Sequence, residues 1–280
     1  MSDQLPEFDF AGETYKLACL LPPTFPDKLP KLAAAPTFRT WSRQEIDDAI
    51  QNKPVKRREQ FSGKAFIINQ KSVGSCNAAA ATGVLRRAMV LNGRNEVPQL
   101  CWEFLYAQIN GGVDQGSMLE DGMIALEKIG VPPLDLAKHP INKHIFKNQF
   151  DAADYEAARS WTAQACYQVD TKEELATLIL SGAGAGVVAV HVGNNFTELN
   201  SKGFAGASGG PGNHAVGVDD VAIIDGDLAF DMFNSWDVNY GEGGRAYLDW
   251  ERHFSQTIKH HGFYAVLAAS NPGDGGVPVA

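Results

Sequence analysis

Near residue 186 the hydrophobic period of the chain changes, and no other feature limits the fold as much. From about residue 61 to 180 apolar positions recur at helical spacing. Ala78, Ala81, Val84, Leu85, Ala88 and Met89 share one face of a run over residues 77–91, which Gly93 ends. Trp102, Leu105, Tyr106 and Ile109 form a second stripe, starting near Pro98. Ser117-Met118-Leu119-Glu120 reads as the cap of a third helix that stops at Gly130, and Thr171-Lys172-Glu173-Glu174 as the cap of another running to about Leu180. Beyond residue 186 the pattern is that of strands, over residues 187–192, 214–224, 228–234, 245–250 and 263–268, with Asp225-Gly226 as a hairpin turn. A helical first half and an antiparallel second half predict an α+β protein of two lobes, with any site in the cleft between them.

The flanks read differently. Residues 8–17 alternate apolar and polar around Gly12, which predicts a short hairpin. A proline-rich connector follows (Pro22, Pro23, Pro26, Pro30, Pro36), and Ser42-Arg43-Gln44-Glu45 is a capping box for a helix through about Ile50. Residues 1–60 are therefore read as an N-terminal extension that packs on, or tethers, a main domain over 61–270, with 271–280 as a loose tail. A formal net charge of −9 opposes binding to phosphate backbones, so nucleic acid is not the expected partner. The one basic cluster, Lys53, Lys56, Arg57 and Arg58, reads as a solvated linker.

No apolar run is long enough to span a membrane, and the N-terminus lacks the basic start and apolar core of a secretory signal. The expectation is a chain that is cytoplasmic or packaged in an assembly, with Cys19, Cys76, Cys101 and Cys166 as thiols. No cysteine pair has metal-type spacing, so neither metal nor cofactor is expected.

The chemistry concentrates at three places. Gln70-Lys71-Ser72-Val73-Gly74-Ser75-Cys76 puts a thiol at the start of an alanine-rich helix, with an amide six residues upstream. Asn213-His214-Ala215-Val216-Gly217-Val218 opens a strand, and Asn234-Ser235-Trp236 closes another. A thiol reacts as its thiolate, which a helix N-terminus and a histidinium both favour. The Asn234 side chain would orient the His214 ring, and Gln70 with the Cys76 N–H would stabilise an oxyanion.

Each motif has a bland reading. A lone cysteine at the start of such a helix is usually a small buried hydrophobe, and it is the four residues in order that favour the nucleophile. His191 reads as a core or cleft-wall residue, and His139, His144, His260 and His261 as surface residues. Gly182-Ala183-Gly184-Ala185-Gly186 precedes a strand, the wrong context for a phosphate loop. Asp219-Asp220 reads as a solvated acidic pair, and the Trp102 and Tyr106 stripe as core.

The order Gln70, Cys76, His214, Asn234 resembles the papain-like cysteine peptidases, over roughly residues 61–268. The interval of 138 residues between Cys76 and His214 suits that family. Trp236, followed by Tyr240-Gly241-Glu242-Gly243-Gly244, would shield the Asn–His hydrogen bond. Gly116-Ser117 is similar to the wall along which substrate backbone lies, so Gly116, Ser117 and Trp236 join the site as substrate-binding residues. The resemblance implies a helical lobe, an antiparallel β-barrel-like lobe, and hydrolysis of a peptide or protein substrate through a thioester. Three departures stand out: Asn77 where an aromatic usually follows the nucleophile, Val73 where a disulfide cysteine often sits, and no long helical pro-segment pattern in residues 1–60. They keep two alternatives open. One is a non-catalytic structural or interaction protein on the same scaffold, such as a component of a virus particle, with residues 1–60 binding protein neighbours. The other is acyl transfer to an amine.

Overall fold

The computed structural model describes residues 7–17, 21, 29–53, 56–94, 96–136 and 147–268. Cys19, Pro22, Pro23, Pro26, His139, His144 and the tail over 271–280 lie outside the described residues. Strands β1 (Glu7–Phe10) and β2 (Glu13–Lys16) form the N-terminal hairpin, turning at Ala11-Gly12. Helix α1 (Arg43–Asn52) begins at Ser42, whose hydroxyl accepts from the Glu45 N–H while the Glu45 carboxylate returns to the Ser42 N–H. Helices α2 (Arg57–Gln60), α3 (Cys76–Leu91), α4 (Trp102–Ile109), α5 (Leu119–Lys128) and α6 (Ala152–Ala158) follow. The remainder is β3 (Ala165–Val169), α7 (Lys172–Leu180), β4 (Gly184–Val190), β5 (His214–Ile224), β6 (Asp227–Phe233), β7 (Arg245–Asp249), a π-helical turn (Trp250–Phe254), α8 (Thr257–His261) and β8 (Phe263–Leu267).

The second half folds around one antiparallel sheet in the order β3-β8-β4-β5-β6-β7. Its ends are β3 and β7, which do not pair with each other, so the anticipated barrel-like lobe is an open sheet. Strand β3 falls inside the stretch read as helical. Its five residues are too few to break the helical period around them, and it is the register with β8 (Ala165↔Leu267 to Val169↔Phe263) that makes it a strand. Ser117 does not cap α5. Met118 occupies that position, and the Ser117 hydroxyl is engaged elsewhere.

Helix α3 is the axle. It is buried from Cys76 to Met89, polar Asn77, Thr82, Arg86 and Arg87 included, with α4 and α5 on one flank and β4, β5 and β8 on the other. Two glycines let it approach the sheet. A Cβ on Gly83 would lie 2.7 Å from the Phe233 ring, and one on Gly217 only 1.9 Å from it. Phe233 thus wedges between α3 and β5, one residue before Asn234.

Charges lock the same contact. Asp219, at 0% exposure, accepts from Arg87 Nε of α3 at 2.6 Å and also pairs with Arg245 of β7. Burial alone would raise the Asp219 pKa, but the two guanidiniums outweigh it and hold the carboxyl below its ordinary value. Lys53 meets Asp220 at 2.7 Å, and Arg58 meets Asp231 at 2.9 Å. The sequence reading of Asp219-Asp220 and of the 53–58 cluster as solvated does not hold. These charges instead neutralise one another across the join between the extension and the sheet, a pairing of residues more than 150 positions apart that no local pattern carries.

Candidate active site

Cys76 is the first residue of α3, so the positive end of the helix dipole lies at it. The turn before it is tight: the Ser75 N–H donates to Val73 O at 2.8 Å. Its geometry is fixed by Asp114, whose Oδ1 accepts the Gly74 N–H at 2.8 Å and the Tyr106 hydroxyl at 2.8 Å. Tyr106 Oη in turn accepts the Gly116 N–H at 3.1 Å. One acid therefore ties the loop before Cys76 to Gly116, and Lys16 of the hairpin pairs with its other oxygen.

On the sheet side His214 opens β5, opposite Val190 of β4. His214 Nε2 lies 2.7 Å from Asn234 Oδ1, which also accepts the Ser235 N–H at 2.8 Å. An amide oxygen only accepts, so Nε2 carries the proton in this bond. Nδ1 is buried and has no hydrogen-bond partner among the described residues. The Trp236 indole lies against the His214 ring, with centroids 4.8 Å apart. Sequence grouped Trp236 with substrate-facing positions, but it is 0% exposed, capped by Phe8 at 5.4 Å and Tyr15 at 5.2 Å. Its contact is with the imidazole.

A short backbone pairing brings Gln70 to the Asn234 loop. The Gln70 N–H donates to Ser235 O at 2.9 Å, and the Asp237 N–H to Ile68 O at 3.3 Å. The Gln70 side chain is buried, accepts from the Ser235 hydroxyl, and donates one of its two amide hydrogens to Val73 O at 2.9 Å.

Gly116, at φ 88°, is buried beside Ser117. The carbonyl of Ser117 accepts the backbone N–H of Leu21 at 3.2 Å, so a peptide group of the chain itself lies on this wall. Cys76 and His214 are both fully buried.

Sequence reasoning missed four residues here. Asp114 sits in a glycine-rich loop two residues before Gly116, a signal that could have been read. Tyr106 reads from the sequence as core only, yet its hydroxyl donates to Asp114 and accepts from the Gly116 N–H. His261 was read as exposed but is buried against Gly212, where a Cβ would come within 3.2 Å of its Nε2. Burial lowers its pKa, and a hydrogen bond with the Gly212 backbone acts in the opposite sense. Asn77 was noted only as a departure. His191 is half-buried, its Nδ1 2.6 Å from Pro211 O.

The other two described cysteines are poor nucleophiles. Burial, then the nearby charge of Glu103, raises the Cys101 pKa, and burial with the charge of Glu127 raises that of Cys166.

No family model matches the sequence, and no curated protein matches it either. Solved structures do resemble the fold. The cysteine protease xylellain from Xylella fastidiosa superposes with a TM-score of 0.66 at 17% identity, covering 89% of this chain and 95% of that one. Procathepsin B from Trypanosoma congolense gives 0.62 at 14% identity, covering 89% and 87%. Bromelain from Ananas comosus, in complex with the E64 inhibitor, gives 0.57 at 17% identity, covering 76% and 96%. With its helical lobe, open antiparallel sheet and central helix, the chain has the fold of the papain-like cysteine proteases.

Proposed function

We propose that the chain is a cysteine peptidase that cleaves peptide bonds through a thioester at Cys76. The observation that carries this reading is the 2.7 Å bond from His214 Nε2 to Asn234 Oδ1, which leaves a buried Nδ1 unpartnered on a strand packed against the helix that Cys76 begins. An imidazole held in this way suits an ion pair with a thiolate, because the asparagine orients the ring without adding a negative charge.

In the proposed reaction the Cys76 thiolate attacks the scissile carbonyl carbon and a C–S bond forms. The oxyanion is met by the Cys76 N–H and the second amide hydrogen of Gln70. As the C–N bond breaks, the imidazolium of His214 gives its proton to the leaving amine. Water then adds to the thioester with His214 taking its proton. The thiolate leaves, and the carboxylic acid product departs.

One observation favours the second reading, a scaffold that does not turn over: Cys76 and His214 are fully buried, and Leu21 occupies the Ser117 carbonyl. The experiment that separates them is hydrolysis of a mixed peptide library by the intact chain and by Cys76→Ala. Cleavage that disappears in the variant supports the peptidase. Cleavage in neither, or equal cleavage in both, overturns it. Product mass distinguishes addition of water from addition of an amine.

A further inference from the structure

We propose that Asn77 is a positioning residue that sets the distance between the nucleophile and the wall on which a substrate backbone is read. The inference rests on the peptidase reading and adds to it a residue placed outside the reacting atoms.

Asn77 follows Cys76 in α3 and is 1% exposed. Its amide nitrogen donates to Ser117 Oγ at 3.0 Å and to Met118 O at 2.7 Å, so both of its hydrogens are spent on the two residues that precede α5. Its Oδ1 is buried with no hydrogen-bond partner. As mere packing this is a poor arrangement, because an apolar side chain would fill the space without an unsatisfied oxygen. What the amide adds is a fixed link. Ser117, held through its hydroxyl, is the residue whose carbonyl accepts the Leu21 N–H at 3.2 Å, and so presents that carbonyl to a peptide group. One peptide bond separates Asn77 from the thiol. Asp114 ties the loop before Cys76 to Gly116, and Asn77 adds a second link, from the residue after the thiol directly to Ser117 and Met118.

Gly122 of α5 completes the device. A Cβ there would lie 2.8 Å from Asn77 Oδ1 and 3.0 Å from Nδ2, so the amide keeps its place only because this helical position has no side chain. Gly122 is otherwise unfavourable in a helix interior, where alanine is preferred. Displacing bound groups by about 1 Å can cost as much as a hundredfold in rate.

The test compares two alkylating reagents on the full chain, with the adduct on Cys76 mapped by mass spectrometry. Iodoacetamide reports the thiol and its accessibility, while an acetyl-dialanyl chloromethyl ketone must also lie along the wall. The ratio of peptidyl to iodoacetamide rates corrects for access. It is expected to fall about tenfold or more in Asn77→Ala and in Gly122→Ala, with a smaller fall in Ser117→Ala, which keeps the Met118 bond. Gly122→Ala touches neither the thiol nor the wall and adds a helix-favouring residue, so it keeps the test readable if Asn77→Ala fails to fold. A ratio unchanged in both variants overturns the proposal, as does an equal loss with both reagents. If the wild type is labelled by the peptidyl reagent but hydrolyses no peptide, the peptidase reading fails, and the Asn77 assignment stands or falls on the ratio alone. No labelling of Cys76 by either reagent overturns both.

Discussion

Asn234 Oδ1 takes the Nε2–H of His214, and the consequence is chemical: the proton that His214 can give up or receive is then the one on Nδ1. Elsewhere in the helical lobe a single acid shows how strongly burial acts on a charge. Glu103 is 5% exposed beside Cys101, and desolvation raises its pKa from 4.5 to about 7. Between those values the folded chain holds a proton that the unfolded chain has lost, so stability falls as pH rises from 4.5 to 7 and is level above. Glu103→Gln removes this penalty. Its unfolding free energy from urea titration should match the wild type near pH 4 and exceed it above pH 7, by up to about 3 kcal/mol. A gap that does not change with pH would contradict the assignment. Gln70, Cys76, His214 and Asn234 were legible because their order and spacing carry information along the chain. The roles of Asn77 and His261 were not, because they come from partners such as Ser117 and Gly212, far away in sequence and near only once folded.

At the scale of elements, the hairpin β1–β2 does more than extend the chain. Phe8, Phe10 and Tyr15 cover Trp236, which covers His214, and Lys16 reaches Asp114. The same N-terminal region supplies Leu21 to the Ser117 carbonyl. Leu21→Pro deletes that N–H. Its loss is expected to speed iodoacetamide labelling of Cys76 by about three- to tenfold, the worth of one ordinary hydrogen bond, and an unchanged rate would show that this contact does not restrict access. The join between α3 and the sheet is electrostatic as well as apolar. Asp219→Ala strands Arg87 and Arg245 without their shared acid and should cost about 3–5 kcal/mol in chemical unfolding; a loss below about 1 kcal/mol would mean that the pair breaks even. Long periodic elements such as α3, α7 and β5 were legible from sequence, with ends within a few residues. Strand β3, α8 and the π-helical turn were not: β3 sits in a stretch of helical period and takes its form from pairing with β8, while the π-helical turn and α8 fall between two strands.

Over the whole molecule, the change of period near residue 186 gives the order of construction, helices first and sheet second. The open edges of that sheet could not be read, because closure depends on which strands end up at its rim. Among the described residues the lobes meet along α3, and also through the pairing of residues 68–70 with 235–237 and the Arg87–Asp219–Arg245 cluster. The 68–70 pairing lies at the site itself and sets Gln70 beside the loop that follows Asn234. In the peptidase reading Cys76 and His214 act as a pair. The most direct measurement is the pH dependence of Cys76 alkylation by iodoacetamide in the wild type and in His214→Ala. Pairing predicts wild-type reactivity that persists to lower pH than in the variant, whose profile is shifted up once the histidinium is lost. Superimposable profiles for the two proteins would contradict the pairing.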